Sequence, residues 1–452
     1  MEFRLNWKHW STAAGFAVLI LGMTHGAAYA QEYEGPTVLS RSGGGVRPQG
    51  ERSGEDPKLR LFISANAIYT NGNLPAQTDS NGNLVQANAD FGFQASFGVY
   101  GTRRWKRTSL GIDYTGDYRQ YARTSNYNGS NNYLGLTYGN QVNRRTLVSG
   151  SVTAGTTNTA FGGLNGLVGT QVGNILPTTD IFDTRTYFLY GGMGISRQES
   201  NRLGYELRGN AFRVERHANT LVSVEGYTAA ASGSYRLDLR QRVGVTYNFT
   251  HFDYPKAFGE ADINSATIFY SYQLSRLWRA QIDVGGYLTS SAGSRTVLLD
   301  PAIFALLGIR SVTEAFERTV ALPTTTISLD GKTKNSTFHL SAFRGVGAGN
   351  GLSLTTSEQS ISAIYDYAWN RSITTTANGY FSRSTSLSNS AGSFGIYTAN
   401  LGASYQTRRR INYHLAALYR HSNVSTLRVY GHDSYEMSLG VGWSATDFSF
   451  LH

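Results

Sequence analysis

The sequence predicts an all-β fold, a transmembrane antiparallel up-and-down β-barrel of about eighteen strands. Three observations predict it. Apolar residues recur at every second position over many short segments, the period of a strand with one greasy and one wet face. After Tyr235 to Leu239, the residues Val243, Val245, Tyr247 and Phe249 alternate with Gly244, Thr246, Asn248 and Thr250. Tight arginine-rich turns alternate along the chain with long polar loops, as barrel strands require. Finally, no segment of the mature chain approaches the ~20 apolar residues that a membrane helix needs, and mean hydropathy is only -0.29.

The 452-residue chain divides into three parts. Residues 1–30 read as a secretory signal peptide. Arg4 and Lys8 precede the apolar run Ala13–Met23, and the small-x-small triplet Ala28-Tyr29-Ala30 marks a cleavage site that leaves Gln31 first. Residues 31–58, with Gly43-Gly44-Gly45, Pro36, Pro48 and Pro57, read as a flexible periplasmic tail. Residues 59–452 form the barrel. An export signal followed by strands points to the bacterial outer membrane. The absence of cysteine excludes disulfide frameworks, thiol chemistry and Cys-ligated metals.

The candidate strands follow in order. The first five are Leu59–Thr70, Asp90–Gly101, Arg107–Arg119, Gly129–Gln141 and Arg145–Thr156. The next six are Asp183–Ser196, Arg202–Glu215, Ser223–Tyr235, Arg242–His251, Asn264–Leu274 and Leu277–Tyr287. The last seven are Val320–Asp330, Ser336–Gly345, Ser360–Trp369, Ser372–Arg383, Phe394–Tyr405, Ile411–Arg420 and Tyr435–Ala445. Val320–Asp330 alternates least, because Pro323 interrupts it. An even count puts both chain ends on one side of the membrane.

Each of the eight short turns then carries a basic residue, among them Arg103, Arg104, Arg144, Arg145, Arg240, Arg276, Arg371, Arg408, Arg409 and Arg410. Short turns face the periplasm and long loops face outward in such barrels, which sets the orientation. The aromatic residues agree. Trp105, Trp278 and Trp369 lie in or beside short turns, and Trp443 near the end of the last strand. Tyr138, Tyr235 and Tyr405 occupy equivalent strand ends. Rings with one polar edge favour the lipid–water boundary, so these residues are read as a girdle.

The net charge of +10 suggests an anion channel until the charges are located. The short turns hold 19 of the 40 basic residues, and the strand walls with the outer loops are net acidic. The basic excess is therefore read as a periplasmic rim outside the pore that meets anionic lipid head groups. On this reading, changing Arg408, Arg409 and Arg410 to Gln harms assembly more than ion selectivity. Nucleic acid is not an expected partner.

Alternation assigns Asp113, Asp117, Arg119, Glu206, Arg208, Asp283, Asp366, Arg383, His414, Arg420 and Glu436 to the inner wall. Ser, Thr, Asn and Gly fill the places between, which predicts a hydrated wall of mixed charge. In the loop Ser290–Thr319, Asp300 and Pro301 before an apolar run and Gly308 after it predict a short helix. Ser311-Val312-Thr313-Glu314 resembles a second capping box. That loop and Asn158–Phe182, rich in Leu, Val and Ile, are the candidate constrictions. No nucleophile–base–orienter constellation and no metal-ligand spacing of histidines is present, so neither catalysis nor a cofactor is expected.

Across Leu59–Ala445 the chain resembles porin-like bacterial outer-membrane barrels. The resemblance rests on the alternating strands, the aromatic rim and the terminal strand Tyr435–Ala445 with Met437, Leu439, Val441 and Trp443. Phe450 lies near the C-terminus, where porins usually end on an aromatic. The resemblance implies passive passage of small hydrophilic solutes, with outer-membrane lipid and the barrel-assembly machinery as partners. Two alternatives stand beside it. Eighteen-stranded barrels resembling this one also secrete exopolysaccharide, and a non-conducting structural or adhesive barrel would act through its loops.

Overall fold

The computed structural model describes residues 59–72, 77–78, 84–85, 89–123, 128–157, 185–217, 222–255, 257–298, 311–349, 354–370, 372–387, 393–407, 410–424 and 431–445. The signal peptide, the tail, the segment Asn158–Phe182, the helix expected at Asp300–Gly308, Arg371, Arg408, Arg409 and the C-terminal Phe450 lie outside these residues.

The strands are β1 (Arg60–Asn71), β2 (Gln77–Thr78), β3 (Leu84–Val85), β4 (Asp90–Arg104), β5 (Thr108–Tyr121), β6 (Gly129–Asn143) and β7 (Thr146–Thr157). They continue as β8 (Thr186–Gln198), β9 (Leu203–Arg216), β10 (Val224–Arg236), β11 (Gln241–Tyr254), β12 (Gly259–Gln273) and β13 (Trp278–Leu298). The last are β14 (Ser311–Lys332), β15 (Ser336–Gly347), β16 (Thr356–Ala368), β17 (Ile373–Ser386), β18 (Ser393–Gln406), β19 (Ile411–Val424) and β20 (Gly431–Ser444). β2 and β3 make a small hairpin of their own. The other eighteen form one antiparallel sheet in which β1 pairs with both β4 and β20, so the sheet closes on itself.

The short turns are closed by side chains that the local sequence supplies. Asp238 Oδ1 accepts the backbone N–H groups of Arg240 and Gln241 at 2.6 and 2.7 Å. Asn143 accepts those of Arg145 and Thr146 at 2.8 and 2.9 Å, and Asn370 those of Ser372 and Ile373 at 2.8 and 2.9 Å. Ser200 and Thr333 make similar bonds. Such side chains mimic a turn's own backbone bond, so reversal is encoded within a few residues. The strand register at this end of the barrel follows from these turns.

Burial is inverted relative to a soluble sandwich. The lipid-facing row includes Ile63 at 57%, Ile268 at 62% and Leu401 at 63% exposure, whereas inward Asn66, Gln94 and Arg119 are each 2% exposed. Exposed apolar side chains along the outer face of most barrel strands are stable only against hydrocarbon. The chain is therefore a transmembrane β-barrel. Trp105, Trp369, Trp443, Tyr138, Tyr235 and Tyr405 are all exposed, and Trp278 shares their face, packing on Phe338 at 5.8 Å between ring centroids. A second aromatic belt lies at the opposite strand ends, where Tyr69 meets Phe91, Phe381 meets Tyr397 and Tyr419 meets Tyr435.

Many glycines are seats for rings on the neighbouring strand. Phe62 lies directly opposite Gly98, and Trp278 opposite Gly331. A Cβ at Gly98 would come within 2.5 Å of the Phe62 ring, and one at Gly331 within 2.6 Å of Trp278. Ring and glycine together fill one cross-strand site.

Two strand expectations are corrected. β13 and β14 run 21 and 22 residues, ~70 Å at the usual rise, so most of the expected loop Ser290–Thr319 is strand, an extension of the β13–β14 pair whose Phe316 packs against buried apolar residues of the wall. Ser311 to Glu314 lies in strand, paired from Leu298 down to Arg295. A capping pattern acts only where a helix is otherwise favoured, and here a continuous ladder competes with it. The weakly alternating Val320–Asp330 belongs to the longest strand. β14 pairs with β15 only from Thr325 onward. Pro323 sits just past that point, where the missing N–H costs no ladder bond.

Candidate channel lumen

Register decides which side chains face inward. Asp113, Asp117, Arg119, Glu206, Arg208, Asp283, Asp366, His414, Arg420 and Glu436 share the inner face. Arg383 does not, and this corrects the sequence reading. It pairs with Gln359 and Gly395 on the same face as Ile361 and Tyr397, which is the lipid side near the outer end of β17. Polar residues cover both faces there, so alternation alone misplaces it.

The densest charge cluster crosses the strands on either side of β1. Arg119 on β5 reaches over β4 and β1 to Glu436 on β20, Nη1 to Oε2 3.1 Å, with Asp117 3.8 Å from its Nε. Asn66 donates to Gln94 beneath it at 3.3 Å, and Asn131 donates to Asp117 at 2.9 Å. Arg420 on β19 stands beside the cluster and is also buried. A guanidinium between two carboxylates ties β5 to β20 across β4 and β1. Elsewhere on the wall Arg208 pairs with Glu206, Gln281 donates to Asp283 at 3.1 Å, and Thr337 donates to Asp366 at 3.1 Å.

Part of the basic rim faces the pore, which revises its expected location. Arg236 and Arg242 pair directly across β10 and β11 on the inward face. Arg279 joins them from β13 and donates to Ser271 at 3.1 Å, and inward Lys332 lies next along at the foot of β14. The strands run further into the turns than alternation suggests, so residues counted as turn acquire a face. The turn residues proper stay outside. Arg103 lies 5.3 Å from the Trp105 ring centre, Arg145 and Arg197 approach Glu199, and Arg144, Arg240, Arg276 and Arg410 are exposed. The backbone of Arg104 continues β4. Arg202 donates to the Tyr235 hydroxyl at 3.4 Å, a contact that raises the pKa of its guanidinium.

The opposite inner wall is not the hydrated surface expected. Inward Phe188, Tyr190, Phe212, Phe252, Tyr254, Ile263 and Tyr287 form one buried apolar arc from β8 to β13. Phe212 and Phe252 meet edge to face at 5.8 Å. These positions lie toward the outer strand ends, where aromatic residues occupy both faces and periodicity loses its contrast.

The β15–β16 connection reaches this arc. The Tyr254 hydroxyl on β11 donates to the Leu354 carbonyl at 2.9 Å and lies 3.3 Å from both the Ala348 carbonyl and Thr355 Oγ1. Tyr287 donates to the Gly345 carbonyl at 3.3 Å. Ala348, Leu354 and Thr355 are buried, so the described ends of the connection pack against the inner wall. In the sequence this connection reads as one more outer loop between Ser336–Gly345 and Ser360–Trp369. Its only signal was Leu352 and Leu354 in an otherwise small, polar run. Among the described residues no group of three or more His, Cys, Asp or Glu could hold a metal ion. His251 and His421 face lipid, each bonded to an aspartate directly across the strand pair.

A closed eighteen-stranded barrel, apolar outside and charged within, is the architecture of the porin class. Solved structures that the chain matches include OccK1 (OpdK) of Pseudomonas aeruginosa, at 12% identity over 86% of this chain and 98% of that one, TM-score 0.40. A second is OccK2 (OpdF) of the same organism in complex with glucuronate, at 11% identity over 86% and 98%, TM-score 0.40. A third is a BenF-like porin from Pseudomonas fluorescens Pf-5, at 12% over 86% and 99%, TM-score 0.40. No family model and no curated protein matches the chain.

Proposed function

We propose that this chain is an outer-membrane channel for passive passage of small hydrophilic solutes. The observation that carries the reading is the inner wall of a closed barrel, where Asp117, Arg119, Glu436 and Arg420 face a common lumen whose periplasmic mouth holds Arg236, Arg242 and Arg279. Charged groups of both signs suit solutes that carry their own hydrogen bonds, and the collar favours anions at one end. Outer-membrane lipid at both aromatic belts and the barrel-assembly machinery during insertion are the partners this role requires.

Single-channel recording of the refolded barrel in a planar bilayer, with a salt gradient, tests it. Stable conductance steps are expected. A correctly inserted barrel that never conducts would overturn the reading. It would favour instead a barrel closed at rest, to which the buried aromatic arc and the inward β15–β16 connection lend weight.

A further inference from the structure

Arg383 belongs to a row that the channel reading leaves unused. Arg344 on β15 pairs with Gln359 on β16, and Gln359 with Arg383 on β17, so the three share one face. All three are exposed. Each lies about three residues from the outer end of its strand, and the two arginines are two strand spacings apart, ~10 Å. Neither makes an ion pair among the described residues, and no outward-facing described residue from β15 to β18 is acidic. The same rim differs a few strands away, since Glu225, Asp253 and Glu260 face lipid across β10, β11 and β12.

Two residues further toward the membrane centre, the same strands present Ile361, Phe381 and Tyr397. Ile361 and Tyr397 are exposed at 49% and 50%, and the Phe381 and Tyr397 rings lie 4.8 Å apart. A basic row sits directly above an apolar, aromatic one. Bare guanidinium groups at a lipid boundary attract phosphate, onto which they fork. Apolar side chains below them suit acyl chains.

We propose that Arg344, Gln359 and Arg383 form a docking surface for the phosphorylated glycolipid of the outer leaflet, with its phosphates on the arginines and its acyl chains over Ile361, Phe381 and Tyr397. The surface rests on the outer-membrane placement and not on conduction, because every residue in it faces away from the lumen.

The test is native mass spectrometry of the full refolded barrel in detergent, titrated with purified lipid A or with the same lipid stripped of its phosphates. Wild-type protein is expected to retain the phosphorylated form preferentially. The double variant Arg344→Gln/Arg383→Gln is expected to lose about tenfold in affinity for it. Arg344→Lys/Arg383→Lys, which keeps the charge and guards against a folding defect, is expected to lose less. Arg213→Gln, on the acidic side of the rim, is expected to change little. Equal retention of both lipids by wild-type protein would overturn the proposal and leave acyl contact as the only interaction, and so would a Gln double variant that binds like wild type. Conductance of the same variants, read in parallel, separates this outcome from failure of the channel reading.

Discussion

Replacing Arg119 by Met would leave Glu436 without the guanidinium 3.1 Å away, in a site where the two side chains are only 3% and 11% exposed. At an effective dielectric of about 20, that separation corresponds to ~5 kcal/mol of attraction. Desolvation of both ions offsets much of it, but removing one partner alone leaves that cost uncompensated, and such losses run to about 3–5 kcal/mol. Asp117 at 3.8 Å loses a weaker contact at the same time. Arg119→Met is therefore expected to destabilise the barrel by about 3 kcal/mol or more. Arg119→Met/Glu436→Gln should recover about 2 kcal/mol of that loss, because no buried ion of this pair is then stranded. The assay is equilibrium guanidinium unfolding of the refolded barrel in detergent, followed by tryptophan fluorescence, as a double-mutant cycle. Trp443 lies on the same strand as Glu436 and reports on that part of the wall. A coupling below about 0.5 kcal/mol would refute the reasoning, since independent sites add to within that figure.

Three further outcomes follow from the wall. Tyr254→Phe removes the hydroxyl that holds Leu354 and Ala348, at ~1–2 kcal/mol; released, the β15–β16 connection should give larger or noisier single-channel steps. Gly98→Val drives a side chain into Phe62 and Gly331→Leu one into Trp278. Each should cost about 1–3 kcal/mol by overpacking, read as a lower guanidinium midpoint, while Gly209→Ala, with open space around its Cβ position, should not. Arg242→Gln/Arg279→Gln thins the inward collar at the periplasmic mouth. The reversal potential in a salt gradient should move toward cations, more at low ionic strength than high.

The legible parts of this chain are those that physics makes local. Asn143, Asp238 and Asn370 close their turns within three residues, so the hairpin spacing could be read directly. The lipid face was legible because hydrocarbon imposes one chemistry over the whole belt, and Val243, Val245 and Tyr247 obey it without exception. Contrast fades near the outer strand ends, where water, head groups and lumen all accept polar residues. Arg383 was assigned to the wrong face there, and Phe212, Phe252 and Tyr254 were not recognised as an inner arc.

Class, strand number and the aromatic girdle at the short-turn end came from sequence alone, because each depends on residues near one another in the chain or on a repeated pattern. Only the tertiary structure decided what lies across the lumen. Arg119 meets Glu436 over 317 positions of sequence, and Tyr254 meets Leu354 over 100. Such contacts exist because closure of the sheet brings β20 beside β1 and lets Leu354 reach Tyr254 from a connection four strands away. No local period encodes which side chains then meet.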